Sequence, residues 1–130
     1  MFRFKDRFYL IYSGYWWESH KYAVEYAVCK TITGPYENPL AEPWFACKNP
    51  AMEPGGHAFF SDIREDLWTV YHAWTGANVS YSDGVQRSLH LDLVTFEEGK
   101  PVANGPTSSP HFYPVLHATR YFSRCLHLGI

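Results

Sequence analysis

The side chains with the clearest chemical potential in this sequence are aromatic. Ten Tyr, nine Phe and five Trp make up 18% of the 130 residues. Aromatic rings favour β-strands, and the faces of rings in an exposed cleft also stack on sugars. The run Tyr15-Trp16-Trp17 directly follows an apolar, strand-like segment that ends at Ser13-Gly14. We therefore expect either a sugar-binding loop at these three aromatic residues or their burial in a β-rich core.

The sequence lacks the motifs of several common classes of catalytic site. It contains no catalytic ordering of Ser, His and Asp, no glycine-rich phosphate loop and no zinc-ligand spacing. The three cysteines, Cys29, Cys47 and Cys125, are too far apart for a CxxC motif, and their odd number argues against a closed disulfide framework. We expect them to be structural thiols.

Charge and hydropathy argue against two classes of partner. Eleven Lys and Arg against thirteen Asp and Glu give a net charge of −2, which does not provide the basic surface that binds nucleic acid. No segment approaches the roughly 18 apolar residues of a membrane helix. The first six residues lack the apolar core of a secretion signal. Secretion would therefore require a natural start upstream of Met1, and the sequence does not determine the cellular compartment.

Strand patterns dominate the chain and occur twice in the same order. Each unit begins with a hairpin, continues with a third strand and closes with a weaker fourth. The predicted strands lie at 2–4, 8–12, 22–29 and 44–47 in the first unit and at 58–60, 67–74, 88–94 and 100–103 in the second. Successive four-stranded meanders are typical of neighbouring β-propeller blades, although a β-sandwich fits the same periodicity. We predict an all-β fold that forms part of a propeller.

The order of these segments resembles that of glycoside hydrolase family 43. FYLIYSG at 8–14, YAVEYA at 22–27 and GPY at 34–36 are similar to the family's penultimate blade. PGGHAFF at 54–60 resembles the family's GPGHHSFF element, LWTVYHAW at 67–74 resembles the strand that follows it, and QRSLHLD at 86–92 resembles an RRPLHID strand. The resemblance extends from about residue 2 to residue 103.

This resemblance implies a five-bladed β-propeller that cleaves arabinose- or xylose-containing polysaccharides. The family's inverting hydrolysis uses a general base and a general acid, two carboxyl groups about 6.5–9.5 Å apart. In the family both precede the strand at 8–12, so we expect this chain to be a C-terminal fragment without them. Residues 1–106 then form the last two blades, 1–50 and 51–106, and residues 107–130 form an extension of unknown structure.

The resemblance also implies roles for individual residues. His57 matches the histidine of the GPGHH element, which lies near a bound metal, expected to be calcium, and near the substrate; the alternative is an ordinary turn residue. Arg87 matches an arginine that reaches the active site in some members, and the alternative is a surface arginine. At a blade end, the rings of Tyr15, Trp16 and Trp17 would contact a pentose-containing oligo- or polysaccharide.

Other acidic residues have weaker claims to a role. Glu18 and Glu25 would face either the propeller axis or the solvent. Asp62, Glu65 and Asp66 lie in a predicted hairpin turn, where short polar side chains bond to the local backbone.

Three hypotheses for the whole chain remain. The first is a fragment of a family 43 hydrolase, the second is a non-catalytic carbohydrate-binding or scaffold remnant, and the third is an unrelated β-sandwich. If the chain consists of two blades of a ring, its unpaired strand edges favour self-association.

Overall fold

The structure is a computed structural model that describes residues 1–46, 51–76, 78–107 and 113–116. Cys47 and Cys125 lie outside these residues, whereas Cys29 is a free thiol. The described residues form seven β-strands in two antiparallel sheets. The strands are β1 (Phe2–Phe4), β2 (Arg7–Gly14), β3 (Ala23–Cys29), β4 (Ala51–Ser61), β5 (Leu67–Thr75), β6 (Gln86–Glu97) and β7 (Lys100–Ala103).

The first sheet has the order β1-β2-β3 and matches the predicted hairpin and third strand. A complete fourth strand is not formed at 44–46, the described part of the expected segment. A single bridge joins Phe45 to Val24 there, through backbone hydrogen bonds of 2.9 and 3.1 Å. Pro43 lies two residues before Phe45 and has no N–H to donate, which limits further pairing on that side.

The second sheet has the order β4-β5-β6-β7, as the sequence predicted. The β6–β7 hairpin turns at Glu98 and Gly99, whose φ values of 49° and 78° match the twist of the flanking strands. The β4–β5 turn is held by Asp62, whose Oδ1 accepts hydrogen bonds from the N–H groups of Arg64 (2.8 Å) and Asp66 (3.1 Å). The predicted backbone-bonding role therefore applies to Asp62, whereas Glu65 and Asp66 are exposed.

The core lies between the two sheets. One contiguous cluster of buried residues in it consists of Val24, Phe45, Ala51, Tyr71 and Ala73. At one end of this interface the rings of Phe4 and Phe96 are stacked with centroids 3.5 Å apart. Each sheet thus covers one apolar face of the other, as neighbouring propeller blades do, and the fold is an all-β partial propeller.

Helical structure is minimal in the part of the chain that the structure describes. It consists of one 3₁₀ turn, Tyr81–Asp83, which begins after Ser80 and ends at Gly84. No described helix is long and apolar enough to span a membrane.

Candidate functional site

The predicted Arg87 and the aromatic loop lie at the same end of the two sheets. β2 ends and β3 begins there in the first sheet, since Gly14 pairs with Ala23. The start of β4, the end of β5 and the start of β6 meet there in the second sheet. The Gly56 N–H donates a 3.1 Å hydrogen bond to Ser13 Oγ and ties the two sheets together. We call this region the Arg87 end.

Arg87 is held in place by two rings and a carbonyl group. Its guanidinium carbon lies 5.0 Å from the ring centroid of Trp74 and 5.4 Å from that of Tyr22. One terminal nitrogen donates a 3.0 Å hydrogen bond to the Glu53 carbonyl oxygen. Burial lowers the pKa of Arg87 from its usual value, but guanidinium groups stay charged in proteins. The site therefore contains a fixed cation.

Glu53 belongs to this site, although no motif in the sequence marks it. Its side chain is only 1% exposed. Oε1 lies 3.3 Å from Nδ1 of His20, and Oε2 is buried without a hydrogen-bond partner among the described residues. Burial raises the pKa of Glu53, while His20 and Arg87 act in the opposite direction. Its φ of 48° is unfavourable for a non-glycine residue, by about 1–2 kcal/mol.

Two glycines allow side chains to approach β4 closely. A Cβ at Gly55 would overlap the ring of Tyr22, and one at Gly56 would lie 2.6 Å from Nε2 of His72. Burial, and secondarily Arg87, lower the pKa of His72 from its usual value. The glycines of the Pro-Gly-Gly segment thus make room for the rings of Tyr22, which contacts Arg87, and His72.

The aromatic loop divides into exposed and packed residues. Tyr15 and Trp16 are 69% and 64% exposed. Trp17 is half-buried and stacks on Trp74, with centroids 6.0 Å apart and an interplanar angle of 18°. The rings of Tyr15 and Trp16 are therefore free to contact a ligand. The ring of Trp17 supports Trp74, whose ring the Arg87 guanidinium contacts.

His57 lies outside this cluster, in the aromatic core. Its ring is parallel to Tyr71 at 4.8 Å and meets Phe45 edge-on at 5.2 Å. Both ring nitrogens are buried and have no hydrogen-bond partner among the described residues. Burial lowers the pKa of His57 to about 3, so the ring is neutral.

The described residues around His57 do not form a calcium site by themselves. Calcium prefers several oxygen ligands, whereas aromatic rings surround this imidazole. Within the described residues, no group of three or more His, Cys, Asp or Glu side chains could hold a metal ion. The calcium site and the ligand-binding role of His57 stay predictions from the resemblance.

Glu18 and Glu25 are engaged in contacts between loops and strands. Oε2 of Glu25 accepts 2.8 Å hydrogen bonds from the hydroxyl of Tyr12 and the amide of Asn38. Oε1 of Glu18 accepts a 3.4 Å hydrogen bond from Ser80 Oγ. These partners give both carboxyl groups a structural role.

A groove of about 350 Å³ opens beside the aromatic loop. It is lined by residues of the loop and of the segment before Phe45, namely Tyr15, His20, Lys21, Tyr22, Glu42 and Pro43. The exposed ring of Tyr15 thus borders a concave surface, as expected for a ligand-binding loop.

Comparison with solved structures identifies this architecture. The chain superposes over 89% of its length on a thermostable family-43 glycoside hydrolase, with a TM-score of 0.77 and 26% sequence identity. The fold is that of family 43 glycoside hydrolases. This finding confirms the resemblance and the partial propeller, and it overturns the β-sandwich alternative.

Two further structures share the family 43 fold at lower identity. An endo-1,4-β-xylanase from Bacteroides thetaiotaomicron VPI-5482 matches 80% of this chain with a TM-score of 0.67 and 22% identity. A xylan β-1,4-xylosidase from Bacillus halodurans C-125 matches 87% with a TM-score of 0.65 and 14% identity. The chain spans 37%, 35% and 25% of the three structures, respectively. No family model and no curated protein matches the sequence.

Proposed function

We propose that this chain is part of a glycoside hydrolase propeller and that its Arg87 end binds a xylose- or arabinose-containing polysaccharide. The observation that carries the proposal is the position of a fixed cation and two exposed rings at one end of a family 43 fold. The guanidinium group of Arg87 offers several donors to sugar hydroxyls. Tyr15 and Trp16 offer flat faces on which sugar rings stack.

The described residues are assigned to binding rather than to proton transfer. Inverting hydrolysis needs two carboxyl groups on opposite sides of the scissile bond. Glu18 and Glu25 are held by neighbouring side chains, and Glu53 is buried. We therefore assign the general acid and base to blades of the family fold that this chain does not span. Turnover of an aryl xyloside or arabinofuranoside by the 130-residue chain alone would contradict this assignment.

Replacing Trp16 with Ala tests the binding function. We expect calorimetry with xylotetraose or arabinotetraose to show five- to tenfold weaker binding, because one stacked ring contributes about 1–1.5 kcal/mol. Tyr113→Ala is the matched control, because Tyr113 is 78% exposed and belongs to the segment that Val115 joins to Asp62 in the β4–β5 turn. The proposal fails if the unmodified chain binds neither sugar, or if both variants bind as tightly as it does.

We also propose that the chain self-associates through its strand edges. Within the described residues, β1 and β7 each pair with one strand only, so their outer backbone groups are available. Leu89 on β6 is 78% exposed and adds apolar surface. Sedimentation velocity should show concentration-dependent dimers or larger species, and Leu89→Lys should shift them toward the monomer. A chain that sediments as a monomer at every concentration would contradict this prediction.

A further inference from the structure

The carboxyl group of Glu53 contacts His20, and this contact is separate from the hydrogen bond between the Glu53 carbonyl oxygen and Arg87. Oε1 of Glu53 lies 3.3 Å from Nδ1 of His20. The side chain of Glu53 is 1% exposed, whereas that of His20 is 69% exposed. A buried, fixed carboxyl group is thus joined to an imidazole ring that is open to solvent.

The carboxyl group orients the imidazole ring. Nδ1 of His20 faces Glu53, which leaves Nε2 as the ring atom available to a ligand. A partner on one ring nitrogen determines which nitrogen carries the proton and therefore how the other one hydrogen-bonds. His20 also lines the groove beside the aromatic loop, so Nε2 is the ring nitrogen left to bond a ligand there.

The walls of the groove indicate the chemistry of its ligand. Tyr15 and Tyr22 provide aromatic surface, while Lys21 and Glu42 contribute opposite charges. A neutral ring that carries hydroxyl groups suits these walls better than an anion, which would meet Glu42, or a cation, which would meet Lys21. A hydroxyl both donates and accepts, so it can bond to Nε2 whether or not this atom carries the proton.

We propose that His20, held by Glu53, binds a hydroxyl group of a sugar unit in this groove. Glu53 acts as a positioning residue for two ligand contacts, since its carboxyl group holds His20 and its carbonyl oxygen holds Arg87. The inference rests on the proposed saccharide binding and adds to it a second contact, separate from the Arg87 cation and from Trp16.

The test compares His20→Ala with Lys30→Ala in the full chain, with xylotetraose as the probe. His20→Ala should weaken binding three- to tenfold, because it removes one hydrogen bond. His20 and Lys30 are both exposed, so neither substitution opens a core cavity. Lys30 follows Cys29, the last residue of β3, and so lies at the opposite end of this strand from the groove. Lys30→Ala should therefore change the affinity less than twofold.

A spectroscopic measurement separates ligand contact from a merely structural role. The imidazole ¹⁵N resonances of His20 should shift when xylotetraose is added, and Glu53→Gln should change them in the free chain. Glu53→Gln should also weaken the binding of xylotetraose, as His20→Ala does. If Glu53→Gln does not fold, the His20→Ala affinity and the titration of the unmodified chain decide the question.

The outcomes distinguish the two proposals. Xylotetraose binding that is equal in the unmodified chain and His20→Ala, with unmoved imidazole resonances, overturns the role of His20 and leaves saccharide binding intact. An unmodified chain that binds neither xylotetraose nor arabinotetraose overturns the proposed function and the role of His20 together.

Discussion

Replacing Trp74 with Ala is expected to lower the free energy of unfolding by about 3–5 kcal/mol, as is typical for a buried aromatic residue. Trp74 is fully buried and lies beneath three groups at once. Trp17 stacks on it, Tyr81 meets it edge-on at 4.7 Å, and the Arg87 guanidinium carbon lies 5.0 Å from its ring centroid. Denaturant unfolding measures the stability, and calorimetry should show weaker sugar binding because Arg87 loses its platform.

Trp16→Ala is the matched control for this effect, because it removes the same side chain from the same end of the sheets. Trp16 is 64% exposed, so we expect its replacement to change the stability by less than about 0.5 kcal/mol. Equal losses of stability in the two variants would show that Trp74 does not form the core of the Arg87 end.

Acidification is expected to destabilise the fold through His57. Burial lowers its pKa to about 3 in the folded chain, from an ordinary value of 6.5. The unfolded chain therefore binds a proton that the folded chain does not, and stability is lost as the pH falls from about 6.5 toward 3. Each pH unit costs up to about 1.4 kcal/mol, so the loss at pH 3 is on the order of 4 kcal/mol. Urea unfolding between pH 7 and pH 4 measures this slope.

His57→Phe isolates this contribution, because it keeps a ring against Tyr71 and cannot take up a proton. The pKa values of His72 and His90 are also lowered by burial, so part of the pH dependence should persist in the variant. Stability curves with the same slope for the variant and the unmodified chain would exclude His57 as the main titrating group.

The strands could be predicted because their pattern is local. Alternating apolar residues and short polar turns mark each hairpin, and the predicted segments overlap the strands of both sheets. The extent of β4 was not predicted: it begins at Ala51, whereas the sequence indicated only 58–60, because Pro and Gly at 54–56 are unusual in a strand. The other difference is the fourth strand of the first unit. There, Pro39 and Pro43 interrupt the run of backbone donors, and one bridge at Phe45 replaces a ladder in the described residues.

The candidate site could be predicted only in part, because its contacts cross between the sheets. The family resemblance selected Arg87 and the loop residues Tyr15 and Trp16 as candidates, and the structure places them at the same end of the sheets. Glu53 was not, since its partner His20 is 33 residues away in the sequence. The packing of His57 could not be predicted either. Because β4 shifts register on both sides of Gly55, the alternation of side chains along the strand does not show which face of the sheet His57 lies on.

Chemical-shift mapping of the ¹⁵N-labelled chain with xylotetraose tests most directly whether the Arg87 end binds saccharide. The resonances of the Trp16 indole N–H, the Arg87 side chain and the His20 imidazole are expected to shift together. Resonances around Lys5, Gly99 and Lys100, which line a separate 250 Å³ pocket, should stay unchanged. Shifts confined to that second pocket, or no saturable shift at all, would contradict the account.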